Sequence, residues 1–142
     1  MRLYKLIGAC SLVVERPAHN RVDGGSNPSR PINHNAYILV SQRLLYMREK
    51  LLERKIREYL ESRGHWVVKY FANGYTKSGI PDLLACVNGR FVAIEVKGYG
   101  GIVAPLQVRT LCKIKDSGGI AMVVYPSQFE KFCRKIEEVA KE

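Results

Sequence analysis

The 142-residue chain reads as a single α/β domain, a mixed β-sheet of about four strands flanked by helices. Three observations predict it. Two apolar runs, Leu83 to Val87 and Phe91 to Val96, flank Asn88-Gly89, the pair best suited to a two-residue hairpin turn because both central positions need φ > 0. Further on, Ile120 to Tyr125 is short and continuously apolar, as expected of a buried strand reached by a helical crossover. Stretches with apolar residues three and four apart lie before the hairpin, between it and this strand, and after it.

Taken in order, residues 1 to about 40 do not read as part of that domain. Pro17, Pro28, Pro31 and the Asp23-Gly24-Gly25-Ser26-Asn27 run break any periodicity. Gly25-Ser26-Asn27-Pro28 is also what results from translating the T-arm consensus of a tRNA gene. The expectation is that residues 1–46 are either a disordered basic tail or a stretch read through from a neighbouring tRNA gene, and that the domain occupies residues 47–142. tRNA genes are common integration sites for mobile DNA.

From about Gln42 to Arg63 the pattern is helical, with Leu52, Ile56, Tyr59 and Leu60 on one face and Gly64 as a natural stop. Glu53 falls on the face of Ile56 and Leu60, where a carboxylate needs a partner; as a mere flank of an amphipathic helix it would need no function. His65 to Ala72 reads as a first strand, followed by a basic loop, residues 73–79. In that loop Tyr75, Lys77 and Ser78 are suited to contacting a phosphate backbone without reading sequence, the alternative being an ordinary surface turn. After the hairpin, Gly98-Tyr99-Gly100-Gly101 is a linker, and Pro105 opens a helix to about Lys115. Its outer face carries Arg109 and Lys113, while Gln107 shares the inward face of Leu111 and Ile114. Ser127-x-x-Glu130 reads as a capping box for a last helix with a Phe129, Phe132, Cys133, Ile136, Val139 stripe.

The hairpin register carries the chemistry. If Val87 pairs with Arg90, each step outward keeps the same sum of residue numbers, which sets Asp82 opposite Glu95 with Cβ atoms about 5 Å apart. Lys97 lies on the same face as Glu95. Two opposed carboxylates destabilise a sheet, but oxygen ligands converging from two rigid strands suit Mg²⁺ or Mn²⁺, with water and substrate phosphate filling the other positions. Lys97 is then placed to orient a water or to stabilise charge on phosphate. The alternative is a solvated strand end with an incidental Glu95–Lys97 pair.

At these residues the chain resembles the PD-(D/E)XK nucleases: Pro81-Asp82 on one strand, then Glu95-Val96-Lys97 on the next. The surroundings, Gly79-Ile80-Pro81-Asp82-Leu83-Leu84, Phe91 to Lys97 and a downstream Ala104-Pro105-Leu106-Gln107, look most like the small stand-alone VRR-NUC enzymes of phages and prophages. The archaeal Holliday-junction resolvases are a near second. The resemblance spans residues 49–125 and implies a restriction-endonuclease-like domain that cuts DNA, branched DNA above all, as a homodimer. It implies that Asp82, Glu95 and the Val96 carbonyl hold Mg²⁺ (or Mn²⁺) and that Lys97 positions the attacking water. Glu53-Arg54 with Gly64 downstream matches the first-helix glutamate that completes the metal site, with Glu49 one turn earlier as the other candidate, and Gln107 matches a glutamine that supports the site. Lys69, Tyr75, Lys77, Ser78, Arg109 and Lys113 are the expected DNA contacts.

Charge agrees with a polyanionic partner. The net formal charge is +10, and residues 47–142, with 17 basic and 11 acidic residues, hold +6 of it. The four cysteines form no Cys-x-x-Cys pair, so they read as buried thiols of a reducing cytoplasm, with neither zinc nor disulfides. No apolar run approaches the ~20 residues of a membrane span, and the apolar part of the N-terminal stretch is shorter than the ~7–15 residues of a signal peptide. The rival to an enzyme is a non-catalytic nucleic-acid-binding module on the same fold.

Overall fold

The structure is a computed structural model, described here for residues 34–142 apart from Gly74 and Thr76, with side chains from residue 48 onward. The elements run α1 (His34–Ser62), β1 (Trp66–Lys69), β2 (Leu83–Val87), β3 (Arg90–Val96), α2 (Pro105–Asp116), β4 (Ile120–Val124), a 3₁₀ turn (Pro126–Gln128) and α3 (Phe129–Lys141). The sheet order is β1-β2-β3-β4. β1, β2 and β3 pair antiparallel, and β4 joins β3 in parallel after the α2 crossover, so the sheet is mixed as expected.

The Asn88-Gly89 turn forms with φ of 47° and 77° at its two centres, and Val87 pairs with Arg90, so the register is the one the turn chemistry requires. α1 ends at Gly64 (φ 76°). There the His65 N–H reaches the Leu60 carbonyl (3.0 Å) and the Gly64 N–H the Glu61 carbonyl (3.0 Å), which satisfies the orphan carbonyls of the last turn. α1 also reaches back to His34, eight residues before the periodicity at Gln42.

Strand alternation sorts the sheet into two faces. Leu83, Ala85 and Val87 of β2 and Val92, Ile94 and Val96 of β3 are buried under Leu52, Ile56 and Leu60 of α1 and Phe132, Ile136 and Val139 of α3. The opposite face carries Asp82, Leu84, Cys86, Phe91, Ala93, Glu95 and Lys97, and α2 packs there chiefly against β4 and β3. The β1–β2 half of that face is left open, with Trp66 61% and Val68 40% exposed, as is Phe91 at the start of β3.

Four expectations need correcting. β1 stops at Lys69, although the Tyr70 N–H still donates to the Asp82 carbonyl (2.8 Å) and keeps the chain beside β2 for one more step. Ser127 does not cap α3: the Gln128 N–H closes on the Tyr125 carbonyl (2.9 Å), which encloses Ser127 in the 3₁₀ turn, and no side chain caps the helix. Cys86 is exposed because it lies on the uncovered half of the sheet, and Cys112 is buried but disulfide-bonded. Among the described residues no helix is long and apolar enough to cross a membrane.

Candidate active site

Asp82 sits one residue before β2, where the ladder with β3 ends. Its Oδ2 accepts the Val96 N–H (2.9 Å), so a side chain takes over the strand's next hydrogen bond and fixes the carboxylate. The N–H and C=O of one strand residue point the same way, so the Val96 carbonyl also faces the Asp82 side.

Glu95, on the adjoining position of β3, is completely buried. Its two oxygens are treated unequally. Oε1 receives the Lys97 ammonium (2.6 Å) and the Gln107 amide (2.5 Å). Oε2 has no hydrogen-bond partner. A buried carboxylate oxygen without a partner costs about 1–3 kcal/mol or more, and the charge of Asp82 stands beside it. Burial first, and then the Asp82 charge, push the Glu95 carboxyl from its usual 4.5 up to about 7. Burial pulls the Lys97 ammonium down, but its hydrogen bond with Glu95 and the Glu95 charge outweigh that, so its pKa is raised and it stays protonated.

Gln107 is oriented from its other end. Its Oε1 accepts the N–H of Ala104 (2.9 Å), the residue before α2, which leaves the NH₂ group to face Glu95. The inward face predicted for it is therefore the active-site face. The linker before α2 is tied down as well: Glu49 Oε2 accepts the Gly98 N–H (3.1 Å), and the buried Tyr125 hydroxyl donates to the Gly101 carbonyl (3.2 Å).

Glu53 has the partner that its position demands, but the partner is Lys69 on β1 (2.6 Å) and not the Asp82–Glu95 pair. Glu49 is the first-helix glutamate whose charge acts on Lys97. The signal for both was the same, two glutamates four apart on one helix face. Tyr125 was missed as a site residue, since nothing in an apolar strand marks one hydroxyl as a strut.

Of the six expected DNA contacts, Lys77, Ser78, Arg109 and Lys113 line one groove of about 630 Å³ between the loop before Asp82 and α2, with Pro81 in its wall. Lys69 is not with them: it is held by Glu53 and lies 5.4 Å from the Phe71 ring. Tyr75 is fully exposed, its N–H bound to the Asn73 side-chain oxygen (3.0 Å).

No three His, Cys, Asp or Glu side chains converge among the described residues. Two carboxylates, a main-chain carbonyl and an unpartnered buried oxygen nevertheless fit Mg²⁺, which binds through one or two carboxylates and keeps several waters. The family model of the archaeal Holliday junction resolvases (Hjc) matches residues 46–123. The chain belongs to that family. Its resolvases are metal-dependent, structure-specific endonucleases that cleave phosphodiester bonds and bind DNA junctions, commonly as dimers, and this chain is such a metal-dependent nuclease. Of the two resemblances read from the hairpin, the match is to the resolvases. No curated protein matches the chain.

Proposed function

We propose that the chain hydrolyses phosphodiesters at branch points in DNA with Mg²⁺ held by Asp82, Glu95 and the Val96 carbonyl. The observation that carries this is Glu95 Oε2, buried and unpartnered beside a second carboxylate. A metal bound there supplies Lewis-acid charge to the phosphate and makes its water a better nucleophile at neutral pH. Glu95 Oε1 keeps Lys97 and Gln107 in place, so Oε2 remains turned to the metal position. Lys97, its ammonium nitrogen 2.6 Å from Glu95 Oε1, offers its remaining donors to the attacking water and the phosphate. Glu53 completes the site through water once it leaves Lys69, and Glu49 steadies the Gly98 end of the linker.

Lys77, Ser78, Arg109 and Lys113 hold the phosphate backbone along the groove that leads to Asp82. The open sheet face of Trp66, Val68 and Phe91 is the surface through which two copies pair, because a row of exposed apolar side chains across neighbouring strands calls for a cover. Trp66→Asp would then convert the dimer to a monomer in sedimentation velocity. The domain proper is residues 47–142. The tRNA-gene-like stretch before it supports an origin in mobile DNA, the phage or prophage setting of the VRR-NUC enzymes.

The deciding experiment measures labelled four-way junction, flap and linear duplex with Mg²⁺, Mn²⁺ and EDTA, for the natural chain and Asp82→Asn. Metal-dependent cutting of the branched substrates that Asp82→Asn abolishes while junction binding survives is the expected result. Tight binding without cutting under either metal refutes the catalytic reading and leaves a binding module.

A further inference from the structure

The groove of about 630 Å³ that leads to Asp82 has two linings of different chemistry. Its charged residues are Lys77, Arg109 and Lys113, with no acidic residue in its walls. None of the three is in an ion pair among the described residues. Most of the remaining wall is apolar: Ile80, Pro81, Leu84, Phe91, Leu106 and Ile114. Leu84 and Phe91 stand on the sheet, while Leu106, Thr110, Lys113 and Ile114 recur three and four apart on one face of α2. Phe91 and Leu106 remain 45% and 46% exposed. Glycines set both sides of this space. The loop before Asp82 meets α2 at Gly79, where a Cβ would stand 2.6 Å from Leu106 Cγ. The Phe91 ring, which also borders the open sheet face, turns its Cδ1 edge to Gly119, 3.3 Å from where a Cβ would stand.

The occupant follows from matching both linings. A paired duplex turns phosphates and sugars outward and keeps its bases inside, so it satisfies the cations and leaves the apolar wall against water. A wholly apolar occupant would desolvate three cations without partners. A nucleotide whose base has left the stack supplies an anion and a flat apolar body together. DNA branch points hold such bases at least cost, because a base there has already lost a neighbour or its pairing partner. The groove also lies on the path of the DNA, since Pro81 in its wall directly precedes Asp82. Its volume falls within the ~300–1,000 Å³ of ligand sites, ample for one nucleoside. We infer that this groove receives one unpaired base from the branch point, stacked against Phe91 and enclosed by Leu84, Leu106 and Ile114, while Arg109 and Lys113 hold its phosphates. The inference rests on the reading of the chain as a nuclease of branched DNA and makes the groove a reader of the branch itself as well as a track for the backbone.

The test measures binding of the full chain in EDTA by fluorescence anisotropy, so that no cleavage intervenes. One four-way junction carries a single unpaired thymine at its branch point, and its twin carries an abasic tetrahydrofuran there with the same phosphates. The natural chain should bind the thymine junction about tenfold more tightly, as stacking of one base on an aromatic ring contributes. Thr110→Trp, whose ring would fill the groove from α2 and leave every cation in place, should bring the two affinities together. Arg109→Ala/Lys113→Ala should weaken both junctions alike. With 5-iodouracil in place of the thymine, irradiation should crosslink the base to the peptide that contains Phe91. Equal affinity of the natural chain for the two junctions would overturn the proposal, as would a crosslink elsewhere on the chain or a preference that Thr110→Trp retains. A dimer that Thr110→Trp dissociates in sedimentation velocity would overturn it too, since a second copy would then occupy the groove. Cleavage of junctions without any base preference would refute this inference alone, and base preference without cleavage would refute the catalytic reading alone.

Discussion

Removing the Glu95 charge should change how the metal-free protein responds to pH. Its carboxyl is completely buried and its pKa is raised from 4.5 to about 7, by burial first and by the Asp82 charge second. The folded state therefore binds this proton more tightly than the unfolded state does. The resulting stabilisation is fully present below about pH 4.5 and is lost as pH rises through about 7. At about 1.4 kcal/mol per pKa unit the loss is on the order of 3 kcal/mol, or on the order of 10 °C in Tm for a domain of this size. Lys97 adds no slope here, because its raised pKa lies above the window. Thermal melts in EDTA from pH 4.5 to 8.5 should show the natural chain losing Tm toward high pH relative to Glu95→Gln, whose amide does not titrate. The comparison cancels the general effect of the +10 net charge. Saturating Mg²⁺ should restore the natural chain at pH 8, do little at pH 5, and do nothing for Glu95→Gln, since the metal competes with that proton. Parallel Tm curves for the two proteins in EDTA would refute the reasoning, and with it the claim that an unpartnered carboxylate is held ready for a cation.

Lys69→Met frees Glu53 from its ion pair, so the Mg²⁺ concentration for half-maximal cleavage should fall several-fold, and the effect should vanish when Glu53→Gln is added; an unchanged Mg²⁺ titration would place Glu53 outside the metal's reach. Lys97→Met removes the cation that lowers the Glu95 pKa, so the Mg²⁺-induced rise in Tm should move to higher pH, and cleavage should stay lost even where the metal binds. Gly79→Ala meets both a left-handed backbone (φ 78°) and Leu106 Cγ at 2.6 Å, and should cost about 1–3 kcal/mol in a denaturant melt while lowering cleavage by misplacing the approach to Asp82.

The part of the site that was legible in the sequence is the part that local rules determine. Asn88-Gly89 permits one tight turn, that turn permits one register, and the register alone places Asp82 across from Glu95. Gln107 followed from a helical period anchored at Pro105. What the sequence left open depends on packing between distant elements. Glu53 could have turned to the metal or to a cation, and its choice of Lys69, sixteen residues on, is set by how α1 lies on β1. The first strand is apolar on both faces, so its pattern could not say that α2 would cover mainly β3 and β4 and leave Trp66, Val68 and Cys86 open.

The same uneven cover explains why a buried carboxylate is tolerated where it is. Glu95 lies under α2, dry enough for its pKa to rise, while Asp82 sits at the mouth of the strand pair, tied to a main-chain N–H. Were α2 to cover β2 as well, the Asp82 end would close and the orphan oxygen would be a plain cost to folding. Were α2 absent, Glu95 would be hydrated and would have no preference for a metal over water. A half-covered face gives one ligand a dry setting and the other access to solvent, which is the combination a cation that also binds water and phosphate needs.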